Sequence, residues 1–70
     1  METEGMLIGV VTCLRLHIYS EPNLDSDVVC KIRYATEVEV DLNNSTEDFY
    51  KIYTAIGAEG FCRKEFISIK

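Results

Sequence analysis

The strictest pattern in the chain is Glu37-Val38-Glu39-Val40-Asp41-Leu42, where acids alternate with apolar residues. Side chains two apart on an extended backbone share a face. The run therefore predicts an antiparallel strand with Val38, Val40 and Leu42 inward and the acids in water. The same period recurs in Leu16-His17-Ile18-Tyr19, which leads into Ser20-Glu21-Pro22. Leu16 and Ile18 point one way and His17 and Tyr19 the other. Pro22 ends the ladder, because it has no N–H to donate and holds Glu21 extended. A polar loop, Asn23-Leu24-Asp25-Ser26-Asp27, follows. Nowhere do apolar residues recur at i, i+3, i+4 and i+7 over a helix length, so helices are not expected to build the core.

The remaining segments read the same way. Gly9-Val10-Val11-Thr12-Cys13 is rich in β-branched residues and predicts a first strand that runs on through Arg15 into the Leu16 segment. Val28-Val29-Cys30-Lys31-Ile32 predicts a second, with Val28, Cys30 and Ile32 inward. The Glu37 run is the third strand, Phe49-Tyr50-Lys51-Ile52-Tyr53 the fourth, and Phe61-Cys62 opens a short fifth. Arg63-Lys64-Glu65-Phe66 is expected to make one helical turn before Ile67-Ser68-Ile69. Turns fall at Arg33-Tyr34-Ala35-Thr36, at Asn43-Asn44-Ser45-Thr46-Glu47-Asp48 and at Thr54 to Gly60. Short strands spaced by about ten residues describe an all-β barrel or small sandwich, and the fold expected is a small five-stranded antiparallel barrel with a long loop after Ile18. Its expected core is Val11, Cys13, Leu16, Ile18, Val28, Ile32, Val38, Val40 and Ile52. Residues 1–7 read as a disordered lead-in and 8–70 as the barrel.

A chain of 70 residues buries only about 60% of the surface it exposes unfolded, which leaves one thin core. A deep catalytic cleft is hard to enclose on that scaffold, so a binding module without a cofactor is expected rather than an enzyme. Cys13 lies four residues from His17, about 13 Å along a strand, too far for a nucleophile and its base. The net charge of -5 repels phosphate backbones, and the close basic pairs in sequence are Lys31/Arg33 and Arg63/Lys64. Nucleic acid is not an expected partner. Cys13, Cys30 and Cys62 are odd in number and far apart, and they read as small core residues. An oxidising compartment would allow one disulfide and one free thiol. A zinc site lacks the closely spaced cysteines it needs, and His17 has no partner at ligand spacing.

Asp41-Leu42-Asn43-Asn44-Ser45 has the opening spacing of a calcium loop, but Thr46 stands where glycine is required and Ile52 where a bidentate Glu belongs. The sequons at Asn43 and Asn44 read as turn residues. Met6 to Val11 is too short and follows too acidic a start for a signal peptide. No apolar run approaches the roughly 20 residues that cross a bilayer, so cytoplasmic synthesis and no membrane insertion are expected.

Taken together, the segments resemble the bacterial Src-homology-3-like (SH3-like) domains. That family typically carries Leu-Asn-Val-Arg-Ser-Gly-Pro, then Val-Ile-Gly-Xaa-Leu, Lys-Gly-Thr-Xaa-Val-Xaa-Val, Trp-Tyr-Lys-Val, and a closing Gly-Tyr-Val with Tyr-Leu shortly after. Here the pieces stand in order as Leu16 to Pro22, Val28 to Ile32, Ala35 to Val40, Phe49 to Ile52, Gly60-Phe61-Cys62 and Phe66-Ile67. Tyr19 replaces the family's arginine, Glu21 and Ala35 its glycines, and Phe49 its tryptophan. The resemblance implies a non-catalytic module. Such domains hold peptidoglycan or its peptide cross-bridge in bacterial and phage lysins, and others serve inside cells or particles as protein-interaction modules, commonly as part of a larger protein. By position it implies a ligand groove at His17, Tyr19, Glu21 and Asn23, with Tyr34, Phe49 and Phe61 as aromatic walls. Phe49 and Phe61 also suit core or rim packing, and His17 an ordinary surface position.

Overall fold

A computed structural model describes residues 5–70. The first four residues of the expected lead-in lie outside the described residues. The strands are β1 (Met6–Val11), β2 (Arg15–Tyr19), β3 (Val28–Arg33), β4 (Glu37–Asp41), β5 (Phe49–Tyr53), β6 (Glu59–Arg63) and β7 (Ile67–Ile69). Two 3-10 turns, Leu42–Asn44 and Lys64–Phe66, complete the elements. Every pairing is antiparallel. The strands lie in the order β3-β2-β6-β5-β4-β1-β7, an open sheet with β3 and β7 at its edges.

The all-β antiparallel expectation is met, but there are seven strands rather than five and the sheet does not close on itself. The first run breaks at Thr12–Leu14. Thr12 N–H donates to the Phe66 carbonyl at 2.9 Å, and Leu14 swings into water. On either side of that break the chain serves different neighbours, β4 and β7 for β1 but β3 and β6 for β2. The closing Ile67–Ile69 pairs with β1 as a strand of its own. Met6 and Leu7, read from sequence as lead-in, open β1 opposite Asp41 and Val40.

Val11, Leu16, Ile18, Val38, Val40 and Ile52 are buried as expected, and Cys62 and Ile67 join them. Full burial of such side chains stabilises by about 1.5–3 kcal/mol each. Cys13 and Ile32 only flank this cluster. Val28 is corrected outright, being 44% exposed. The register of β2 on β3 shifts between Ile18 and Tyr19, so Val28 lies opposite Tyr19, and the inward alternation of β3 covers only Cys30 and Ile32. Leu42 also faces water, because β4 ends at Asp41 and the chain turns.

Asp41 explains that turn. Its carboxylate accepts the Asn43 N–H at 3.1 Å and the Asn44 side-chain amide at 2.7 Å, capping the 3-10 turn. Ser45 hydroxyl donates to the Asp41 carbonyl at 2.8 Å and accepts the Lys51 N–H at 2.9 Å. The residues with calcium-loop spacing are thus committed to tying β4 to β5. Glycine is required where strands meet closely. A Cβ on Gly60 would lie 2.5 Å from the Tyr19 carbonyl oxygen, and one on Gly9 2.5 Å from Ile67 Cγ2.

Ala35, in the turn between β3 and β4, has φ 69°, the left-handed region that costs a residue with a Cβ about 1–2 kcal/mol. Glycine avoids this cost but loses more freedom on folding. Ala35→Gly is therefore expected to raise stability by about 0.5–1 kcal/mol, seen as a higher urea midpoint with an unchanged slope. A lower midpoint would contradict the strain.

Candidate functional site

The site follows from the alternation of β2, β5 and β6. Ile18, Ile52 and Cys62 point into the core, which turns Tyr19, Lys51 and Phe61 to the opposite face. Tyr19 lies opposite Phe61, and Phe61 opposite Lys51, so the three form one row across the strands. Lys51 Nζ stands 5.0 Å from the Phe61 ring centre and 5.6 Å from that of Tyr53, and it pairs with Glu59 at 3.3 Å. Such a cation over rings contributes on the order of 0.5–1 kcal/mol, and the ion pair with an exposed Glu no more than about 1.

Phe49, on the same face of β5, is buried yet does not belong to the core cluster. Tyr19 meets it edge-on, with ring centres 6.5 Å apart at 86°. His17 stacks on the other side of Tyr19 at 6.4 Å and 28°. The three rings make a short wall along the end of β2, and the polar loop begins where the wall stops.

That loop, residues 20–27, is knitted to itself. Ser20 N–H donates to the Asp27 carbonyl at 2.8 Å, and Asn23 N–H to the Glu21 carbonyl at 2.7 Å. Ser26 hydroxyl donates to the Asn23 carbonyl at 2.8 Å and accepts the Glu21 N–H at 3.2 Å. Asn23 Oδ1 accepts the Asp25 N–H at 3.0 Å, an Asx turn that commits this oxygen to the loop's own shape. Glu21 and Asn23 are both exposed in this loop, which follows directly on β2.

Of the residues expected from sequence, His17, Tyr19, Phe49 and Phe61 come together, with Glu21 and Asn23 in the loop that follows β2. Tyr34 does not join them. Its N–H donates to the Leu14 carbonyl at 3.1 Å, five strand positions from Tyr19, or about 16 Å away. Lys51, Tyr53 and Glu59 belong to the face and were not expected there. Their signal was the alternation Phe49-x-Lys51-x-Tyr53, which shows its meaning only once β6 is known to lie beside β5.

Between β2 and the second 3-10 turn lies a cavity of about 70 Å³, lined by Cys13, Arg15, Leu16, His17, Tyr19, Arg63 and Phe66. Larger, open grooves lie over β1 and β4, one of about 550 Å³ bounded by Met6, Leu7, Ile8, Glu37, Glu39 and Lys70. Among the described residues no three His, Cys, Asp or Glu side chains gather as a metal set. No helix of the described residues is long and apolar enough to cross a membrane. Ring faces, one ammonium and a self-bonded loop are groups that pack against and hydrogen-bond a ligand. Comparison with family models, with curated proteins and with solved structures finds no match to this chain.

All three thiols are free, Cys13 and Cys30 half-buried and Cys62 fully buried. Burial pushes the Cys62 thiol up to about 12, with Cys13 adding to the effect. An unfolded thiol loses its proton near pH 9.0, so the folded form holds a proton that the unfolded form has released between there and about 12. Stability from this group is fully present below pH 9 and falls as pH rises through that window, by roughly 1.4 kcal/mol per pH unit. In a thiol-labelling assay at pH 8, Cys13 and Cys30 should react in the native protein and Cys62 only after denaturant is added. Labelling of Cys62 at the rate of the other two would contradict its burial.

Proposed function

We propose that the chain is a non-catalytic binding module of the Src-homology-3-like kind, its sheet left open, that holds the peptide part of bacterial cell-wall peptidoglycan as a targeting unit of a bacterial or phage lysin. The observation that carries the binding role is the ring wall His17, Tyr19 and Phe49 with Phe61 beside it. Rings standing next to an ordered polar loop hold a peptide without a deep cavity. The wall as the source of that peptide rests on the order of the segments from Leu16 to Ile67. The left-handed Ala35 supports it too, standing where the family pattern has glycine.

A second reading, a protein-interaction or assembly module inside the cell or a phage particle, is favoured by the three unpaired thiols, which persist in a reducing compartment. Sedimentation of the full chain with purified walls separates the two. The wall reading predicts that most of the protein pellets at physiological salt. It also predicts that Tyr19→Ala lowers the bound fraction at least tenfold while keeping a β-type dichroism spectrum. No pelleting with walls of the source organism or its host would transfer the assignment to the protein-interaction reading.

A further inference from the structure

The pairing of β2 with β3 gathers cations that lie far apart in sequence. Arg15 stands directly opposite Arg33, and Lys31 lies two residues before Arg33 on the same side of β3. Like charges directly opposite one another on a sheet are destabilising. Among the described residues no acid pairs with them, the ion pairs there being Lys51–Glu59, Arg63–Glu65 and Lys70–Glu37. Among the described residues Arg15, Lys31 and Arg33 are exposed and without an ion-pair partner, in a chain whose net charge is -5.

β3 is also an edge. Among the described residues it pairs with β2 alone, so its other side offers the N–H and C=O groups of one strand edge. Lysine and arginine on an edge strand are a common guard against unwanted pairing, and that would account for Lys31 and Arg33. It does not by itself account for Arg15, which lies on β2 directly opposite a like charge.

We propose that the free edge of β3 is a second docking surface, distinct from the aromatic wall, and that it accepts an extended protein segment with acids at alternate positions. A segment adding to β3 as a new antiparallel strand would place every second side chain on the cation face, in line with Lys31 and Arg33. Those two lie about 6.7 Å apart, the same spacing as alternate residues of the incoming strand. Carboxylates there complete the row from Arg15 through Arg33. The intervening apolar side chains cover the outer sides of Cys30 and Ile32, which β2 and the core leave half-buried. A peptide suits the patch better than a nucleic acid. Three cations on two short strands are a small footprint for a phosphate backbone, and the acidic remainder of the domain repels its continuation.

The probe is the peptide acetyl-Glu-Val-Glu-Val-Asp-amide, titrated into the full-length chain and followed by backbone amide shifts. The expected result is saturable shifts confined to residues 28–34, with binding weakened at least tenfold when Gln and Asn replace the acids or when salt is raised to 0.5 M. Arg33→Gln should weaken binding at least tenfold and raise the thermal midpoint, because it removes one of two opposed like charges. A role in folding alone would leave binding unmoved. Tyr19→Ala should leave this binding intact, which keeps the outcome separate from that of the wall assay. The proposal is overturned by an absence of shifts, by shifts on the Tyr19 and Phe61 face instead, or by equal binding of the Gln and Asn peptide. Equally tight binding of a single-stranded oligonucleotide of matched charge would overturn the peptide assignment in favour of general polyanion binding.

Discussion

The architecture depends on one close approach, the backbone of Ile18 and Tyr19 against Gly60. The β2–β3 hairpin meets the rest of the sheet through a single residue pair, Tyr19 with Phe61. A Cβ at Gly60 would stand 2.5 Å from the Tyr19 carbonyl oxygen and 2.7 Å from Ile18 Cγ2, so only a residue without a side chain lets the hairpin seat. Seating does two things at once. Ile18 goes fully into the core, and Tyr19, by strand alternation, goes over Phe49 on the outside. Core closure and the ring wall are therefore two faces of the same contact.

The charges sort along the same line. On the strands beyond the hairpin Lys51 of β5, Arg63 of β6 and the terminal Lys70 have acidic partners, Glu59, Glu65 and Glu37. Each has at least one solvent-exposed partner and is of small individual worth. On the hairpin Arg15, Lys31 and Arg33 face water together. A sheet that pairs cations with acids in one part and concentrates unpaired ones at an edge has an electrostatic direction, even though the net charge is only a sum.

Much of the fold was legible in the alternation. Glu37 to Asp41 and Arg15 to Tyr19 are strands because their period is two, and their inward residues are buried as the period requires. What the pattern misread are the places where a local interaction ends a strand or shifts it. Leu42 continues the alternation in sequence, yet Asp41 caps a turn and takes it out of the sheet. Val28 fits the inward set, yet the register shift beside Tyr19 turns it outward. The site divides in the same way. His17 and Tyr19 are recognisable as the outer residues of a strand running into a loop, whereas Tyr34 is grouped with them by its position in the family resemblance and lies at the other end of the hairpin. The facing of Arg15 and Arg33 across 18 positions is a property of pairing, which no local period records.

The most direct measurement is a nuclear Overhauser spectrum of the unmodified chain in solution. Cross-peaks are expected from a Gly60 Hα to an Ile18 methyl and from the Tyr19 ring to the Phe49 ring, alongside the cross-strand peaks of β4 with β5. Intact β4–β5 peaks with neither of the first two present would mean that the hairpin does not seat on β6, and would contradict the account.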